Sequence, residues 1–178
     1  AVTLTGGTKD VPTANTVTVE TGVTANITTD GLYIDASATE NSCAFMIRSG
    51  AAVNLTLQNE NTFKSGANAA GIGVPEGAVL TVTEESDGSV TTTGGDYGAG
   101  IGGGQRGGGG TVTVNDGTVT ATGGSFGGAG IGGGADGNGG MVTVTGGTFS
   151  TGENGNAVIV ASSISDQSGK ASTSTTPW

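Results

Sequence analysis

Residues 111–124 have the sequence TVTVNDGTVTATGG. In residues 111–114 and 118–122, an aliphatic residue alternates with threonine, and Asn115-Asp116-Gly117 lies between the two segments. Alternation with a period of two is typical of β-strands, and Asn, Asp and Gly in succession are typical of a turn. We therefore predict two short strands joined by a turn, followed by a second turn at Gly123-Gly124.

The same pattern recurs along the chain at intervals of 25 to 32 residues. Apolar residues form three families, one for each predicted strand of the repeat. The first family is Val17/Val19, Ala44/Met46, Ala70/Ile72, Ala99/Ile101, Ala129/Ile131 and Ala157/Ile159. The second is Ile27, Leu55, Leu80, Val112 and Val142, and the third is Leu4, Ile34, Phe63, Val90, Val119 and Phe149.

Three strands in each long period indicate a coil in which equivalent strands lie parallel, one turn apart. The sequence therefore predicts an all-β fold, a right-handed parallel β-helix with three short strands per rung and about six rungs. The hand follows from the chirality of crossover connections. We predict one repeat domain over residues 1–162 and a C-terminal tail, cap or linker over residues 163–178. We also expect this segment to belong to a longer or processed protein.

Composition and charge exclude several classes of function. The 178 residues include 38 Gly and have a net charge of −10 with only five scattered basic residues, so we predict no nucleic-acid partner. No apolar run approaches the ~20 residues that span a bilayer, so we predict no membrane insertion. One Cys and no His exclude an internal disulfide, a His/Cys zinc site and a His-based catalytic triad.

Residues 97–104 (YGAGIGGG) and 128–134 (GAGIGGG) are each followed by a glycine-rich loop and a TVTV-type strand pair. This arrangement resembles the glycine- and threonine-rich repeats of large secreted surface proteins of Gram-positive bacteria, and the resemblance covers about residues 16–160. It implies a secreted or cell-surface stalk, adhesin or polysaccharide-contacting module. The resemblance carries no catalytic residue set with it.

The predicted outward positions beside Ile72, Ile101 and Ile131 are all glycine. One interpretation is that a loop, 103–110 or 133–140, packs over this face and needs bare backbone below it. The other is a flat groove for a partner chain or a glycan. The neighbouring rungs carry Phe45, Ile47, Val158 and Val160, which are predicted to form an outward apolar patch. The candidate glycines are Gly71, Gly73, Gly100, Gly102, Gly130 and Gly132.

Outward threonines are predicted to form arrays, as ordinary exposed strand residues or as a hydroxyl lattice that binds a polysaccharide. Ice binding is less favoured because Asn54, Lys64 and Asp35 interrupt the ranks. Tyr97 and Phe126 occupy equivalent corner positions and are predicted to stack on each other or to contact a sugar. The candidate threonines are Thr81, Thr83, Thr111, Thr113 and Thr143.

Acidic residues collect at the turn between the second and third strands. Glu84, Glu85, Asp87 and Asp116 are the candidate ligands of a metal, for which Ca²⁺ is the chemical match. The alternative is a solvated acidic edge that opposes aggregation. Cys43 is predicted to face outward or to lie at a turn, sheltered by the preceding loop.

The sequence therefore predicts a non-enzymatic, extracellular structural or adhesive module of a larger bacterial surface protein, without a required cofactor. The alternative is a polysaccharide-binding module, assisted by calcium. Its partners would be a polysaccharide or another surface protein chain. A glycan-cleaving enzyme based on Lys64, Arg106 or paired carboxylates is less favoured, because no insertion between rungs would form a cleft.

Overall fold

The computed structural model describes residues 1–151, 161–166 and 172–174. Within these ranges every regular element is a strand, and no helix occurs. The first ten strands are β1 (Val2–Gly6), β2 (Val17–Val19), β3 (Thr24–Asp35), β4 (Phe45–Ile47), β5 (Ala52–Gln58), β6 (Glu60–Lys64), β7 (Ile72–Gly73), β8 (Val79–Val82), β9 (Ser89–Thr93) and β10 (Ile101–Gly102). The others are β11 (Thr111–Val114), β12 (Thr118–Thr122), β13 (Ile131–Gly132), β14 (Gly140–Val144), β15 (Thr148–Thr151), β16 (Ala161–Asp166) and β17 (Ser172–Ser174).

The strands form the three walls of a solenoid, and all strand-to-strand pairings are parallel. Wall 1 contains β2, β4, β7, β10 and β13 in that order. Wall 2 contains β1, β3, β5, β8, β11, β14 and β16, and wall 3 contains β3, β6, β9, β12, β15 and β17. The predicted all-β parallel solenoid with three strands per rung is therefore confirmed, with about five turns. The right hand of the coil stays a prediction.

Columns of equivalent residues fill the core. Ile72 pairs with Ile101, and Ile101 pairs with Ile131, so the predicted isoleucine column of wall 1 is confirmed. Val112 pairs with Leu80 and Val142 in wall 2. All these side chains are buried, and each contributes roughly 1.5–3 kcal/mol of transfer free energy.

Two predicted registers are wrong by two residues. In wall 2, Leu80 pairs with Val53 and not with Leu55, which pairs with Val82. In wall 3, Val90 pairs with Asn61, while Phe63 pairs with Thr92. A shift of two residues keeps every side chain on the same face of the sheet, so alternation alone cannot distinguish the two registers.

The predicted apolar patch at Phe45 and Ile47 is also wrong. Phe45 pairs with Ile72 and is fully buried, as is Ile47, whereas Met46, which was predicted to point inward, is half-buried. Residues 44–47 are all apolar, so the sequence does not alternate here and the pattern did not identify which side chains face the core. Phe45 instead fills the core beside Phe63, with ring centroids 5.7 Å apart. The other members of the patch, Val158 and Val160, lie outside the described residues.

The first rung departs from the repeat. Leu4 pairs with Thr29 in wall 2, and not with Ile34 in wall 3 as predicted. Residues 29–31 are not a break between strands, because β3 runs through them and contributes to both walls. Gly31, with φ 61°, makes the bend within this strand.

The last predicted repeat and the tail fall near the end of the described chain. Ala157 and Ile159 lie outside the described residues, as does Trp178. The backbone of β16 pairs with β14 from Gly140 onward, and β17 pairs with β15. The predicted division into residues 1–162 and 163–178 stays a prediction.

Candidate binding surfaces

The six candidate glycines do not form an open groove. All six are buried. A Cβ atom added at Gly100 would lie 2.7 Å from the backbone O of Gly130 and 2.7 Å from the backbone N of Thr122. At Gly73 it would lie 2.7 Å from the sulfur of Met46. These glycines permit close approach of neighbouring backbone, so the flat groove predicted for Gly71, Gly73, Gly100, Gly102, Gly130 and Gly132 is wrong.

The loop after β10 lies against one of these glycines, Gly132. A Cβ at Gly109 would lie 2.6 Å from the O of Gly132, so loop 103–110 packs directly on the next rung. Arg106 and Asp136, 30 residues apart, have φ values of 59° and 60°, and the Arg106 amide donates to Ala135 O. The two loops therefore share a conformation and stack on each other. The loop-packing interpretation is confirmed at Gly132, whereas Gly71 and Gly100 face backbone of the neighbouring rung and of wall 3.

The candidate threonines lie on the outer face of wall 2, all half-buried. Thr81, Thr113 and Thr143 form one column, and Thr111 lies in the next column between Val79 and Met141. Thr83 Oγ1 is 2.9 Å from Thr56 Oγ1. Val79 and Met141 are 37% and 47% exposed. The outward positions of β8, β11 and β14 therefore form a flat, uncharged face of methyl, hydroxyl and thioether groups.

The acidic candidates lie around a shallow depression of about 340 Å³ at the corner between walls 2 and 3. Glu84, Glu85, Asp87 and Asp116 all line it, together with the backbone of Gly88 and Gly117. An Oδ1 of Asp116 accepts a hydrogen bond of 2.8 Å from the Gly117 amide in its own turn. Within residues 1–151, 161–166 and 172–174, no group of three Cys, Asp or Glu side chains is arranged to hold a metal ion.

The predicted stacking of Tyr97 on Phe126, at the corner where wall 3 ends, is confirmed. The rings of Tyr97 and Phe126 stack, with centroids 5.1 Å apart and planes inclined by 30°. The backbone repeats in the same way, since the Tyr97 amide donates to Ala67 O and the Phe126 amide donates to Asp96 O. Phe126 remains 60% exposed. The pair thus holds two rungs together and also presents an aromatic surface to solvent.

A corner groove that the sequence did not reveal lies where wall 3 ends. It has a volume of about 300 Å³ and extends over three successive rungs. Lys64, Thr93 and Thr122, the last residues of β6, β9 and β12, form one side. Ala67, Asp96 and Ser125 form the other side, with glycine pairs 94–95 and 123–124 between them. The recurring Gly-Gly pairs after the third strand were the available signal, because they leave this corner without side chains.

An ion pair borders this groove. Lys64 Nζ lies 3.6 Å from Asp35 Oδ2. Partial burial raises the pKa of Asp35, but hydrogen bonds from Ser37 and the Lys64 charge outweigh it, so the pKa lies below its ordinary value. Asp35 therefore stays ionised, and Lys64 adds little net charge to the groove.

Cys43 precedes β4 and is buried, so the predicted sheltering of this thiol is confirmed. Its Sγ donates to Ala70 O at 3.0 Å and to Phe45 O at 3.3 Å. Burial raises the pKa of the thiol to about 11. Because the thiolate is the reactive form, this cysteine is chemically inert in the folded protein.

No family model, curated protein or solved structure matches this chain. The resemblance to bacterial surface-protein repeats therefore stays a prediction. Helices of the length and apolarity needed to cross a bilayer are absent from the part of the chain that the structure describes.

Proposed function

We propose that this chain is a non-enzymatic, extracellular structural or adhesive module of a larger bacterial surface protein. The observation that carries the proposal is the in-register parallel stacking of all three walls. The backbone hydrogen bonds and the side-chain columns then both run along the solenoid axis, which suits a stiff spacer. The residues best placed for contact lie on flat walls rather than in a catalytic cleft.

The outer face of wall 2 supports the adhesive part of this proposal. The chain carries a net charge of −10, yet the outward positions of β8, β11 and β14 are uncharged. Val79 and Met141 expose apolar surface there without packing partners in the core. A flat face with apolar groups and no charge loses little on desolvation, so it favours contact with another surface.

Binding of beads coated with the chain to immobilised surface proteins and polysaccharides tests this function. We expect binding that falls when Thr113→Lys places a charge at the centre of the wall 2 face. Thr118→Lys, at an exposed position on wall 3, is the matched control and should bind as before. Release of reducing sugars from any glycan, or equal binding by both variants, would contradict the proposal.

Protease treatment of intact cells that express the parent protein tests its location. An extracellular module is degraded while a cytosolic marker survives. Survival of the module together with the marker would count against a surface location.

A polysaccharide-binding module is the second candidate, favoured by the stacked and exposed pair Tyr97 and Phe126. Aromatic faces pack against the apolar faces of sugar rings, and neighbouring hydroxyl groups supply hydrogen bonds. This candidate differs from the first in predicting saturable binding of soluble glycans.

A further inference from the structure

The corner groove follows the axis of the solenoid across three rungs, and two of these rungs share a Thr-Gly-Gly sequence at the end of wall 3. Lys64, Thr93 and Thr122 are paired in register, so their side chains stand in a row along one side. Strands in a sheet are about 4.8 Å apart, so the row extends about 10 Å from Lys64 to Thr122. An extended ligand with a repeating shape would meet a threonine hydroxyl at two successive steps of this row and Lys64 at the third.

The floor of the groove is held open by the fold. The Gly94 amide donates to Thr122 O at 2.9 Å, and the Gly95 amide donates to Ala69 O at 2.9 Å. A Cβ on Gly94 or Gly95 would collide with backbone of the same or the neighbouring rung. Stacking therefore requires glycine here, and a groove with a backbone floor is the consequence.

Hydroxyl groups and an aromatic surface lie along the side walls. Thr93, Thr122 and Ser125 bring hydroxyl groups to the groove. Tyr97 and Phe126 directly follow the lining residues Asp96 and Ser125 in the chain, and their rings stack on each other at the same corner of the solenoid. A 60% exposed phenylalanine beside a polar groove is the combination that sugars need, since their rings have both apolar faces and polar edges.

Charge selects among sugar polymers. The Lys64–Asp35 pair is internally compensated, and Asp96 adds a negative charge to the groove. The net charge of −10 further disfavours a polyanion such as a polyuronate. We propose that the corner groove binds a segment of a neutral polysaccharide that runs along the solenoid axis against Thr93, Thr122 and the Tyr97–Phe126 stack. This inference rests on the second candidate function above.

The test uses the full chain and two pairs of variants. Thr122→Arg blocks the groove, while Thr118→Arg makes the same change at the other end of β12, about 13 Å away at the strand rise of ~3.3 Å per residue. Phe126→Ala removes the exposed ring, and Val11→Ala removes an exposed apolar side chain that lies outside both the groove and the wall 2 face. Melting temperatures establish that all four variants fold.

Affinity electrophoresis and titration against a neutral β-glucan, a neutral galactomannan and a polyuronate provide the readout. We expect a neutral polymer to bind, Thr122→Arg to weaken it by about tenfold or more, and Phe126→Ala to weaken it by about two- to tenfold. Thr118→Arg and Val11→Ala should leave the affinity unchanged.

Each other outcome overturns the groove assignment in a recognisable way. Binding of a neutral polymer that Thr122→Arg and Phe126→Ala do not weaken places the site elsewhere and leaves the polysaccharide-binding function standing. Selective binding of the polyuronate contradicts the ligand class. If no polymer binds while protein-coated beads still adhere, the groove is ruled out as a polysaccharide-binding site and the adhesive function remains.

Discussion

Gly100 shows why glycine is so abundant in this chain, with 38 positions in 178. It is buried without a positive φ, and the backbone of Gly130 and Thr122 occupies the space of a Cβ. Gly22 presents the opposite case, with φ 78° and nothing within 4 Å of a Cβ. One glycine is required by packing and the other only by conformation.

Alanine at these two positions should therefore have different effects. We expect Gly100→Ala to lower the free energy of unfolding by at least about 3 kcal/mol, because the contacting atoms are backbone and cannot rotate away. Gly22→Ala should cost about 1 kcal/mol, the conformational cost of a left-handed residue. Urea denaturation of both variants measures the difference, and equal losses would contradict the packing argument.

Thr29 is a buried residue whose polar atom has no partner. It is fully buried in β3, and its Oγ1 makes no hydrogen bond. Thr29→Val keeps the shape and removes the unsatisfied hydroxyl, so we expect the free energy of unfolding to rise by about 1 kcal/mol. Thr56→Val, which breaks the 2.9 Å contact with Thr83, is the control and should not stabilise. A destabilised Thr29→Val protein would indicate that the hydroxyl has a partner.

Cys43 predicts a pH dependence of stability. Burial raises the pKa of this thiol to about 11 in the folded protein, above its ordinary value of 9.0. The unfolded thiol loses its proton first, so the folded state binds more protons between pH 9 and pH 11 and stability falls across this window. We expect a loss of the order of 2 kcal/mol that is absent in Cys43→Ala, as measured by urea denaturation at pH 8.5 and pH 11. If the free energy of unfolding changed by the same amount between pH 8.5 and pH 11 in both proteins, this would contradict the burial of the thiol.

At the scale of the strands, Asn61 connects three neighbouring strands of wall 3, which are β3, β6 and β9. Its Oδ1 accepts from the Leu32 amide in β3 at 2.9 Å, and its Nδ2 donates to Ser89 O in β9 at 3.1 Å. It also donates to Gln58 O at 3.0 Å, beside the start of its own strand β6. A buried amide thus satisfies backbone groups at a corner where the strands change direction.

Removing this amide should loosen the corner. Asn61→Ala leaves the Leu32 amide and the Ser89 carbonyl without their buried partner, so we expect a loss of about 3 kcal/mol. Asn54→Ala is the control, since exposed Asn54 bonds only the side chain of Asn26, and should cost about 0.5 kcal/mol or less. Thermal unfolding measures the melting temperatures of the two variants. Similar values would contradict a structural role for Asn61.

Among the properties of the strands, the register between neighbouring strands was the one that the sequence predicted least well. The class of each wall and the inward face of β8, β11, β12 and β14 were correctly predicted. The offsets of β5 to β8 and β6 to β9 were not, since alternation is unchanged by a two-residue shift.

At the scale of the whole molecule, the net charge of −10 is concentrated in part at the acidic corner. Like charges in neighbouring rungs repel, and this repulsion is screened over about 3 Å at 1 M salt. We expect Asp116→Asn to raise the free energy of unfolding by about 0.5 kcal/mol at low ionic strength, and the gain to disappear in 1 M NaCl. Asp10→Asn, an exposed change outside this corner, is the control.

The salt experiment also separates the two interpretations of the corner. A solvated acidic edge is stabilised similarly by any salt at matched ionic strength. A rise in melting temperature with millimolar Ca²⁺ alone, lost in Asp116→Asn, would contradict the solvated edge and restore a metal site.

The sequence by itself determined the solenoid, because a constant long period with three alternating apolar families is compatible with few other folds. It also determined the stacked aromatic pair, since Tyr97 and Phe126 occupy the same position of successive repeats. Only the tertiary structure decided which neighbour each side chain meets. It buried Phe45 and the candidate glycines, and it opened a groove beside Thr93 and Thr122. Periodicity specifies the face of a residue, but exposure depends on what the next rung and its loops place above that face.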